Sequence, residues 1–320
     1  MIYIILFLLS FGLTYFIKNH AIENSLFADM NERSSHMIPT PQGGGIAIAT
    51  TWFVGICYLY LTDDINTSLY YALVSGVGIA ILGYLDDLYE LSAKLRLSVQ
   101  SIIALSGLVA LGGIESIDIW IFTLENKIIS NLFAFFILLW FINLYNFLDG
   151  IDGYAGSEAI FLSMAGFILF GGSHFIVLAA AVLGFLIWNW HKAKIFMGDV
   201  GSTLIGYNIA IFTIYYTNQE ASNLWIWIIL FGVFWFDATL TLFRRYQNRE
   251  KLSQGHKKHA YQRLTQVGWS HNKVVIVSIV INLLLLCLVY FVPNITIALL
   301  LALLLLYTVT KLIDKQKKFS

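Results

Sequence analysis

The feature that most constrains this chain is a series of apolar stretches that recurs along all 320 residues. A helix needs roughly 20 apolar residues to cross the roughly 30 Å hydrocarbon core of a bilayer. Eleven stretches approach that length, near 1–17, 44–62, 68–85, 97–113, 129–147, 157–172, 174–190, 202–217, 224–243, 273–291 and 294–311. With 58% hydrophobic residues, the chain has more apolar surface than one water-soluble core encloses. The sequence therefore predicts an all-α polytopic integral membrane protein with about 11 transmembrane helices.

Three details of these stretches bear on how they cross the membrane. They are solidly apolar and do not alternate with polar residues, so membrane-spanning strands are not expected. The first stretch has no basic segment before it and no small-residue cleavage site, so we expect it to stay as the first helix. Around Gly171 and Gly172 two alternatives remain open, a tight turn between two helices or a polar kink inside one.

Lys and Arg fall almost entirely on one side of the predicted membrane. Eighteen of the nineteen lie in the connecting segments 18–43, 86–96, 191–201, 244–273 and 311–320, and Lys127 lies opposite. By the positive-inside rule that side is cytoplasmic, which puts the N-terminus outside and the C-terminus inside. We predict one transmembrane domain over 1–320, with cytoplasmic loops near 18–43, 86–96, 148–156, 191–201 and 244–272.

Overall charge and cysteine content exclude two broad classes. A net charge of zero argues against nucleic acid as a general partner, although the basic segment 244–273 suits anionic lipid or phosphate. Cys57 and Cys287 both lie inside apolar stretches, where they are expected to pack as small hydrophobic residues. A disulfide framework has no support.

Acidic residues collect at the predicted cytoplasmic ends of helices, in three different connections. They are Asp86, Asp87, Glu90, Asp149, Asp152 and Asp199. In "LGYLDDLYE" a continuing helix would present Asp86, Asp87 and Glu90 on neighbouring faces, as a cluster for a cation or for proton transfer. The alternative is a solvated helix end that Lys94 and Arg96 neutralise.

The stretch "NLYNFLDGIDG", residues 143–153, carries the strongest signal. On a helix of 3.6 residues per turn, Asn143, Asn146 and Asp149 form a slanting polar stripe. Amide and carboxylate oxygens suit Mg²⁺, which takes few protein ligands and leaves room for phosphate oxygens. The alternative is a polar seam satisfied by neighbouring helices, but carboxylates are costly for packing alone.

Two further stretches lie on the same predicted side. "FMGDVGS", 196–202, puts Asp199 at the start of a helix, where backbone amides favour a metal-bound phosphate; the alternative is a turn capped by Asp199 or Ser202. "QGHKKHAYQRL", 254–264, offers donors for a pyrophosphate, or is merely a basic loop facing lipid. Zinc is disfavoured there because no Cys or third spaced His accompanies the histidine pair.

The sequence indicates no definite role for three further features. "RSSHMIPTPQGGG", 33–45, combines prolines and glycines as a shaped connector or a plain turn. Asp237 lies about two turns inside a helix, where a helix contact is as reasonable as catalysis. His271 has no constellation in the sequence.

Taken together and in this order, DDxxE, NxxNxxDGxDG, FMGDxGS and HxxHAYQRL resemble the motifs of the polyprenyl-phosphate N-acetylhexosamine-1-phosphate transferases. The resemblance covers nearly the whole chain. "SSHMIPTPQGGG" and "HKKHAYQRL" are most similar to the loops of the O-antigen-initiating branch.

The resemblance implies a reaction in which undecaprenyl phosphate attacks the β-phosphorus of a UDP-N-acetylhexosamine and releases UMP. Mg²⁺ is the implied cofactor, with Mn²⁺ as a substitute. The implied metal ligands are Asn146 and Asp199. The implied catalytic residues are Asp86, Asp87, Asp149, His256, His259 and Arg263. The implied nucleotide-binding residues are Lys94, Asp152 and Phe196.

Within that set, the resemblance gives Asp86 and Asp87 the lipid phosphate and Phe196 a stacking contact with uracil. The histidines and Arg263 would face the pyrophosphate and sugar. It further implies a bacterial cytoplasmic (inner) membrane protein, in contact with membrane lipids, whose active site faces the cytoplasm. A homodimer is left open.

One departure concerns the first motif, because the DDxxD of many relatives reads DDLYE here. Glu90 keeps the charge, so the departure does not argue against activity. Relatives that use UDP-GlcNAc or the lipid I precursor often have a different basic loop, so the sugar remains open. The competing class is a transporter with a carboxylate-lined pathway, but such folds usually show inverted repeats and helices broken at mid-depth. No repeat is visible, and Pro293 is the one proline beyond the first loop.

Overall fold

A computed structural model describes residues 1–24, 39–118, 122–252 and 254–319. Within these residues the chain forms fourteen helices and one antiparallel pair of short strands. In chain order they are α1 (Ile2–Glu23), α2 (Gly45–Leu61), α3 (Thr67–Ser75), α4 (Val77–Tyr89), α5 (Ala93–Ala110), β1 (Ile117–Asp118), β2 (Thr123–Leu124), α6 (Lys127–Leu148), α7 (Tyr154–Phe170), α8 (Ser173–Asn189), α9 (Gly198–Gln219), α10 (Asn223–Leu230), α11 (Gly232–Gln247), α12 (Ala260–Gln266), α13 (His271–Phe291) and α14 (Ile295–Gln316). The first part of the predicted connector 33–45 lies outside the described residues.

Six spans of the described chain are long and apolar enough to cross a membrane: α1, α3 with α4, α5, α6, α13 and α14. A seventh is formed if α10 and α11, which meet at 76°, make one broken span. Three further apolar helices, α2, α7 and α8, have 17 residues each. The chain is thus an α-helical membrane protein. Each of the eleven predicted stretches coincides with a helix or a helix pair, but the count of eleven spans and the orientation stay predictions.

Helix α9 forms the centre of the bundle and is not one of the six. It packs against α2, α4 and α6 among others, and nearly all of its side chains are buried. Its buried polar residues include Ser202, Thr203 and Asn208. A helix enclosed by other helices faces protein instead of lipid, so it can carry polar groups that a lipid-facing helix cannot. This position explains how α9 can be less apolar than α2, α4 and α6, which pack against it.

The boundary between α7 and α8 is a turn. Gly171 and Gly172 have φ angles of 71° and 95°, in the left-handed region that glycine adopts without a steric penalty. Phe175 of α8 packs back beside Gly166 of α7. The alternative of a kink inside one long helix is therefore wrong.

The predicted site residues gather at one end of the bundle, which we call the polar end. It comprises the C-terminal ends of α4 and α6, the N-terminal end of α9, and α12. Tyr261 of α12 donates a hydrogen bond to the carbonyl of Phe147 in α6, at 3.3 Å. Contacts among these elements bring together residues that lie more than a hundred positions apart in the chain.

Candidate active site

The site begins with a close approach between α4 and α9. A Cβ atom on Gly83 would lie 2.6 Å from the carbonyl carbon and oxygen of Asp199, so no larger residue fits without moving the backbone. Asp86 and Asp87 follow on α4 within about one helical turn of Gly83. The two carboxylates therefore arrive beside the first turn of α9.

Asp87 lies against the N-terminus of α9. The backbone N–H of Asp199 donates to both Asp87 oxygens, at 3.0 and 3.1 Å, and the Gln42 side-chain amide donates at 2.6 Å. The amides at this helix end do bind an anion, as expected of a helix N-terminus. In this structure that anion is the carboxylate of Asp87, and a contact of this helix end with a metal-bound phosphate stays a prediction. The alternative of a capping Asp199 or Ser202 is wrong, because the N-cap residue is Met197 and has no side-chain cap bond.

Asp86 and Asp199 meet around the side chain of Arg96. The guanidinium lies 2.8 Å from an oxygen of Asp86 and 3.6 Å from an oxygen of Asp199. The two carboxyl groups are also in hydrogen-bond contact with each other. The Leu91 N–H donates to the other Asp86 oxygen at 2.7 Å. Because like charges this close repel, the arrangement favours a cation or a shared proton.

Glu90 does not join this cluster. Helix α4 ends at Tyr89, and Glu90 is an exposed C-cap residue with a left-handed φ of 46°. The prediction that a continuing helix presents it beside Asp86 and Asp87 is wrong. The acidic motif thus separates into two buried or half-buried carboxylates and one solvated one.

Asn146 connects α6 to the same cluster. Its side-chain amide donates to Asp199 Oδ1 at 2.8 Å and to Ser202 Oγ at 3.0 Å. Asn143, one turn earlier, donates instead to Gln100 of α5 at 2.8 Å. The predicted polar stripe therefore divides into a helix-packing contact at Asn143 and a contact with the carboxylates at Asn146.

These side chains enclose a small polar cavity of about 10 Å³, which is room for about one water molecule or ion. Its polar lining residues are Asp86, Arg96, Gln100, Asn143, Asn146, Asp199 and Thr203. Carboxylate and amide oxygens are the donors that Mg²⁺ prefers. With its Nδ2 turned to Asp199, Asn146 has its amide oxygen left for a cation. The donor set and the cavity size both fit Mg²⁺.

Asp149 follows directly after α6, within electrostatic reach of Asp87. Burial, together with the nearby charge of Asp87, raises the pKa of Asp149 to about 7. A carboxyl group with such a pKa is suited to exchanging a proton at neutral pH. Both its assignment to the same pocket and its role there stay predictions.

Asp237 of α11, for which the sequence showed no partner, contacts the end of the basic loop in the structure. Its carboxylate accepts the Ala260 N–H at 2.9 Å on each oxygen and lies 3.8 Å from His259 Nδ1. Asp237 therefore anchors the start of α12. Burial lowers the pKa of the neighbouring His256 to about 4, so this histidine is neutral at physiological pH.

Arg263 is held away from the carboxylate cavity. Its guanidinium donates to Asp314 of α14 at 2.7 Å and to the Lys317 carbonyl at 2.8 Å, and only 5% of its side chain is exposed. Arg244 donates to both oxygens of the same Asp314. A contact of Arg263 or His259 with a pyrophosphate stays a prediction that requires this loop to rearrange.

Comparison with known proteins shows which family this chain belongs to. Residues 69–217 match the family model "Glycosyl transferase family 4". A Bacillus subtilis relative named probable undecaprenyl-phosphate N-acetylglucosaminyl 1-phosphate transferase is 32% identical over 286 residues, covering 84% of this chain and 78% of its own. The chain belongs to glycosyl transferase family 4. The resemblance inferred from the four motifs is confirmed at the level of the family, while the O-antigen branch stays a prediction.

Two further relatives are less similar in sequence but align over most of this chain as well. A decaprenyl-phosphate N-acetylglucosaminephosphotransferase of Mycobacterium leprae is 28% identical and covers 77% of this chain and 71% of its own. An undecaprenyl-phosphate alpha-N-acetylglucosaminyl 1-phosphate transferase of Salmonella typhi is 26% identical and covers 83% and 76%. The family 4 match at 69–217 contains all of the clustered carboxylates and ends before the basic loop.

The three residues matched to nucleotide binding lie in separate segments of this family 4 chain. Lys94 is exposed in the first turn of α5. The backbone of Phe196 pairs with Pro41 and Gly44, at 2.8 and 2.9 Å. Asp152 is 4% exposed, and His191 and His271 contact its carboxylate. These contacts leave the nucleotide assignments as predictions.

Sequence reasoning assigned no site role to four residues that contact the predicted ones, although it named Arg96 as a residue that would neutralise the acidic helix end. Gln42 and Arg96 bind the carboxylates of the cavity, and His191 and His271 bind Asp152. All four lie in connections that the charge pattern assigned to one side of the membrane. That shared side was the available signal, but it does not specify which side chains meet.

Proposed function

We propose that this protein transfers an N-acetylhexosamine-1-phosphate from a UDP-sugar to undecaprenyl phosphate and releases UMP. The observation that carries the proposal is the meeting of Asp86, Asp87, Asp199 and Asn146 at the polar end. This chain aligns with more than two thirds of the length of relatives that are named for this kind of transfer. The reaction joins a lipid to a water-soluble nucleotide, so a site at the end of the bundle is where both can reach it.

The proposed cofactor is Mg²⁺, held by the carboxylate of Asp199 and the amide oxygen of Asn146, with Mn²⁺ as a substitute. When bound, the ion would neutralise charge that develops on the transferred phosphoryl group. The local charge supports this assignment, because the single guanidinium of Arg96 faces the two carboxylates of Asp86 and Asp199.

We propose a single displacement at phosphorus. An oxygen of the lipid phosphate attacks the β-phosphorus, a new P–O bond forms, and the bond from that phosphorus to the oxygen bridging to UMP breaks. UMP departs with the bonding electron pair. Asp86 and Asp87 position the lipid phosphate, and one of them accepts its proton. Asp149, with a pKa of about 7, is the neighbouring group that can share that proton.

Direct attack is preferred over a covalent enzyme intermediate. The Asp86 oxygens accept from Leu91 and Arg96, and the Asp87 oxygens accept from Gln42 and Asp199. Carboxylates held in this way are oriented for positioning and are weakened as nucleophiles, because their lone pairs are engaged. Incubation with UDP-sugar in the absence of lipid should therefore leave no phosphosugar on Asp86, Asp87 or Asp149.

A groove beside α4 supports access of the lipid phosphate to Asp87. It has a volume of about 190 Å³ and is lined by residues of α1, α2 and α4 together with Gln42. Its lining combines apolar residues such as Ile17 and Ile46 with Asp87. Such a groove suits an amphipathic lipid whose chain lies against the helices while its phosphate reaches the carboxylate.

For the donor we favour an N-acetylated UDP-sugar, either UDP-GlcNAc or a UDP-N-acetylated 6-deoxyhexose. The likeness of residues 254–264 to the O-antigen branch supports this choice and suggests that the product starts a lipopolysaccharide O-antigen or related polysaccharide. We place the protein in the bacterial inner membrane with this site facing the cytoplasm, where UDP-sugars are found. The assignment of Lys94 and Phe196 to the nucleotide is part of the same proposal.

The deciding experiment measures UMP release by the purified protein in detergent, across a panel of UDP-sugars. We expect release that requires both added undecaprenyl phosphate and Mg²⁺, with N-acetylated donors preferred over UDP-glucose. A transporter would release no UMP under any of these conditions, which would refute the proposal. Equal turnover of UDP-glucose and every N-acetylated donor would instead remove only the proposed role of the basic loop in donor selection.

A further inference from the structure

A cationic surface that the proposed reaction does not use lies between α1 and α8, near the polar end. We call it the Trp188 surface; its members are Tyr15 and Lys18 of α1, Trp188 of α8, and Lys194 of the connection from α8 to α9. The Nζ atoms of Lys18 and Lys194 lie 5.0 and 5.3 Å from the centroid of the Trp188 ring. Lys18 Nζ also lies 5.2 Å from the centroid of the Tyr15 ring. One tryptophan ring thus contacts ammonium groups from two segments that are distant in the chain.

The Trp188 ring is held in a fixed orientation. Its Nε1 donates to the carbonyl of Phe11 at 3.1 Å, and its centroid lies 5.0 Å from that of Phe11 and 5.7 Å from that of Tyr15. The backbone of Lys194 is tied to the same place, because its N–H donates to the carbonyl of Trp188 at 2.8 Å. The rings and this stretch of backbone are therefore preformed, and only the two lysine side chains need to adjust to a ligand.

The two ammonium groups lack an anionic partner within the protein. Among the residues that the structure describes, neither Nζ forms a salt bridge or a hydrogen bond. Because both lie about 5 Å from one centroid, they are at most about 10 Å apart and repel each other. The faces of aromatic rings offset only part of this charge. An anion within reach of both lysines would offset the rest.

An apolar surface continues from these cations along both helices. Leu8 of α1 is 57% exposed, and Leu183 and Ile187 of α8 are 44% and 50% exposed. Helices α1 and α8 pack against each other, and on both the exposed apolar residues precede the lysine in the chain. The surface therefore has an apolar part followed by a cationic part at the polar end. This is the order of acyl chains and phosphate in a phospholipid.

We propose that the Trp188 surface binds an anionic phospholipid of the cytoplasmic leaflet. Its phosphate would lie between Lys18 and Lys194, and its acyl chains would lie along α1 and α8. Both lysines belong to segments predicted to be cytoplasmic, 18–43 and 191–201. Tryptophan and tyrosine are enriched at the level of lipid headgroups, and basic pockets between helices on that side bind anionic headgroups. A zwitterionic lipid is a poorer ligand, because its own ammonium group repels the lysines.

Two other occupants fit only part of this surface. A water-soluble phosphate would use the lysines and leave the apolar part uncovered. A second copy of this chain, packed through the same surface, would bring the same cations to it. The phospholipid alone matches both the charge and the apolar part.

The test is lipid binding by the purified protein, measured by native mass spectrometry in a neutral detergent. The delipidated protein is titrated with phosphatidylglycerol and, separately, with phosphatidylcholine of the same acyl chains. We expect the tightest binding step to favour phosphatidylglycerol by on the order of tenfold. The preference should be lost in Lys18→Gln/Lys194→Gln and kept in Lys18→Arg/Lys194→Arg, which retains both charges. Equal affinity of the unmodified protein for the two lipids would overturn the proposal, whether or not the variants fold.

The matched control is Lys273→Gln/Lys311→Gln. It removes the same number of charges from two lysines that each lie over a separate aromatic ring. This variant should keep the preference for phosphatidylglycerol. An equal loss in both glutamine double variants would indicate a general effect of net charge and would overturn the proposal. An unchanged preference in Lys18→Gln/Lys194→Gln would do the same.

The same spectra distinguish the other two occupants. Displacement of bound phosphatidylglycerol by inorganic phosphate or pyrophosphate would assign the lysines to a soluble phosphate. A dimer that becomes a monomer in Lys18→Gln/Lys194→Gln, with lipid binding unchanged, would assign the surface to a second copy. Either outcome would overturn the lipid assignment. Because none of these readouts depends on turnover, failure here leaves the transferase proposal untouched.

Discussion

At Asp199, contacts from three other helices meet on one side chain. Asn146 of α6 donates to it, Arg96 of α5 lies 3.6 Å away, and the Asp86 carboxyl of α4 is in hydrogen-bond contact. The charge of Asp199 therefore matters to the whole cavity. Replacing Asp199 by asparagine removes this charge and keeps the size and shape of the side chain.

The first prediction is that Asp199→Asn loses Mg²⁺-dependent turnover. We expect a decrease on the order of 10²-fold or more, because the change removes a full negative charge from a proposed metal ligand. Asn146→Ala should also lower turnover and raise the Mg²⁺ concentration needed for half-maximal rate. UMP release by the purified variants, titrated with Mg²⁺, measures both effects.

Glu90→Gln is the matched control, since it makes the same charge change at an exposed residue outside the cavity. It should keep the parent rate. All three variants should remain monodisperse, because each change is small and lies at a helix end. Parent-like turnover and unchanged Mg²⁺ dependence in Asp199→Asn would refute the metal assignment.

At the scale of helices, the site depends on how closely α4 approaches α9. The backbone of Asp199 lies 2.6 Å from the position that a Cβ on Gly83 would occupy, so the two helices touch without a side chain between them. Small residues allow such close packing between membrane helices. This contact sets the distance between the aspartates of α4 and the first turn of α9.

The second prediction is that Gly83→Ala impairs catalysis by separating these two helices. The added methyl group would meet backbone atoms at 2.6 Å, and backbone cannot rotate away as a side chain can. A displacement of about 1 Å at the reacting groups can lower the rate roughly 10²-fold. Overpacking also costs about 1–3 kcal/mol of stability. Turnover and thermal melting of the purified variant measure the two effects.

Gly78→Ala on the same helix is the control. There the added methyl group would meet only the flexible end of the Ile103 side chain, at 2.9 Å. We expect near-parent turnover from this variant. If Gly83→Ala and Gly78→Ala behave alike, the close approach of α4 to α9 is not what positions the aspartates.

At the scale of the whole molecule, the charge pattern and the fold together predict how the protein is oriented in the membrane. The clustered carboxylates and the basic loop lie at one end of the bundle, and eighteen of the nineteen Lys and Arg residues lie in the connections assigned to that side. Because basic residues are retained in the cytoplasm during insertion, that end is predicted to face the cytosol.

The third prediction is that a cysteine at position 254 is protected from labelling in intact cells, whereas one at position 125 is labelled. Gln254 and Glu125 are both exposed and lie in connections predicted to be on opposite sides. Cys57 and Cys287, which are free, are first replaced by serine. A membrane-impermeant maleimide reports accessibility, and permeabilised cells show that both positions react. The reverse pattern in intact cells would refute the orientation.

Much of this architecture can be read from the sequence because its causes are local along the chain. A long apolar run must form a helix in lipid, since every backbone polar group has to be satisfied within the segment. Each predicted apolar stretch accordingly coincides with a helix or helix pair. The four ordered motifs identified the family. The polar residues in them, such as Asn146 and the aspartates at helix ends, indicated a functional site because they are too costly in a membrane protein to be there for packing alone.

What the sequence could not specify are the contacts made across the bundle. Glu90 and Asp86 are both acids of one motif, but only the end of α4 at Tyr89 separates the solvated one from the buried one. His271 had no visible partner until the fold brought it within 3.2 Å of Asp152, 119 positions away. Helix formation depends on neighbours in the chain, whereas these pairings depend on helix packing, which the apolar pattern of each helix alone does not encode.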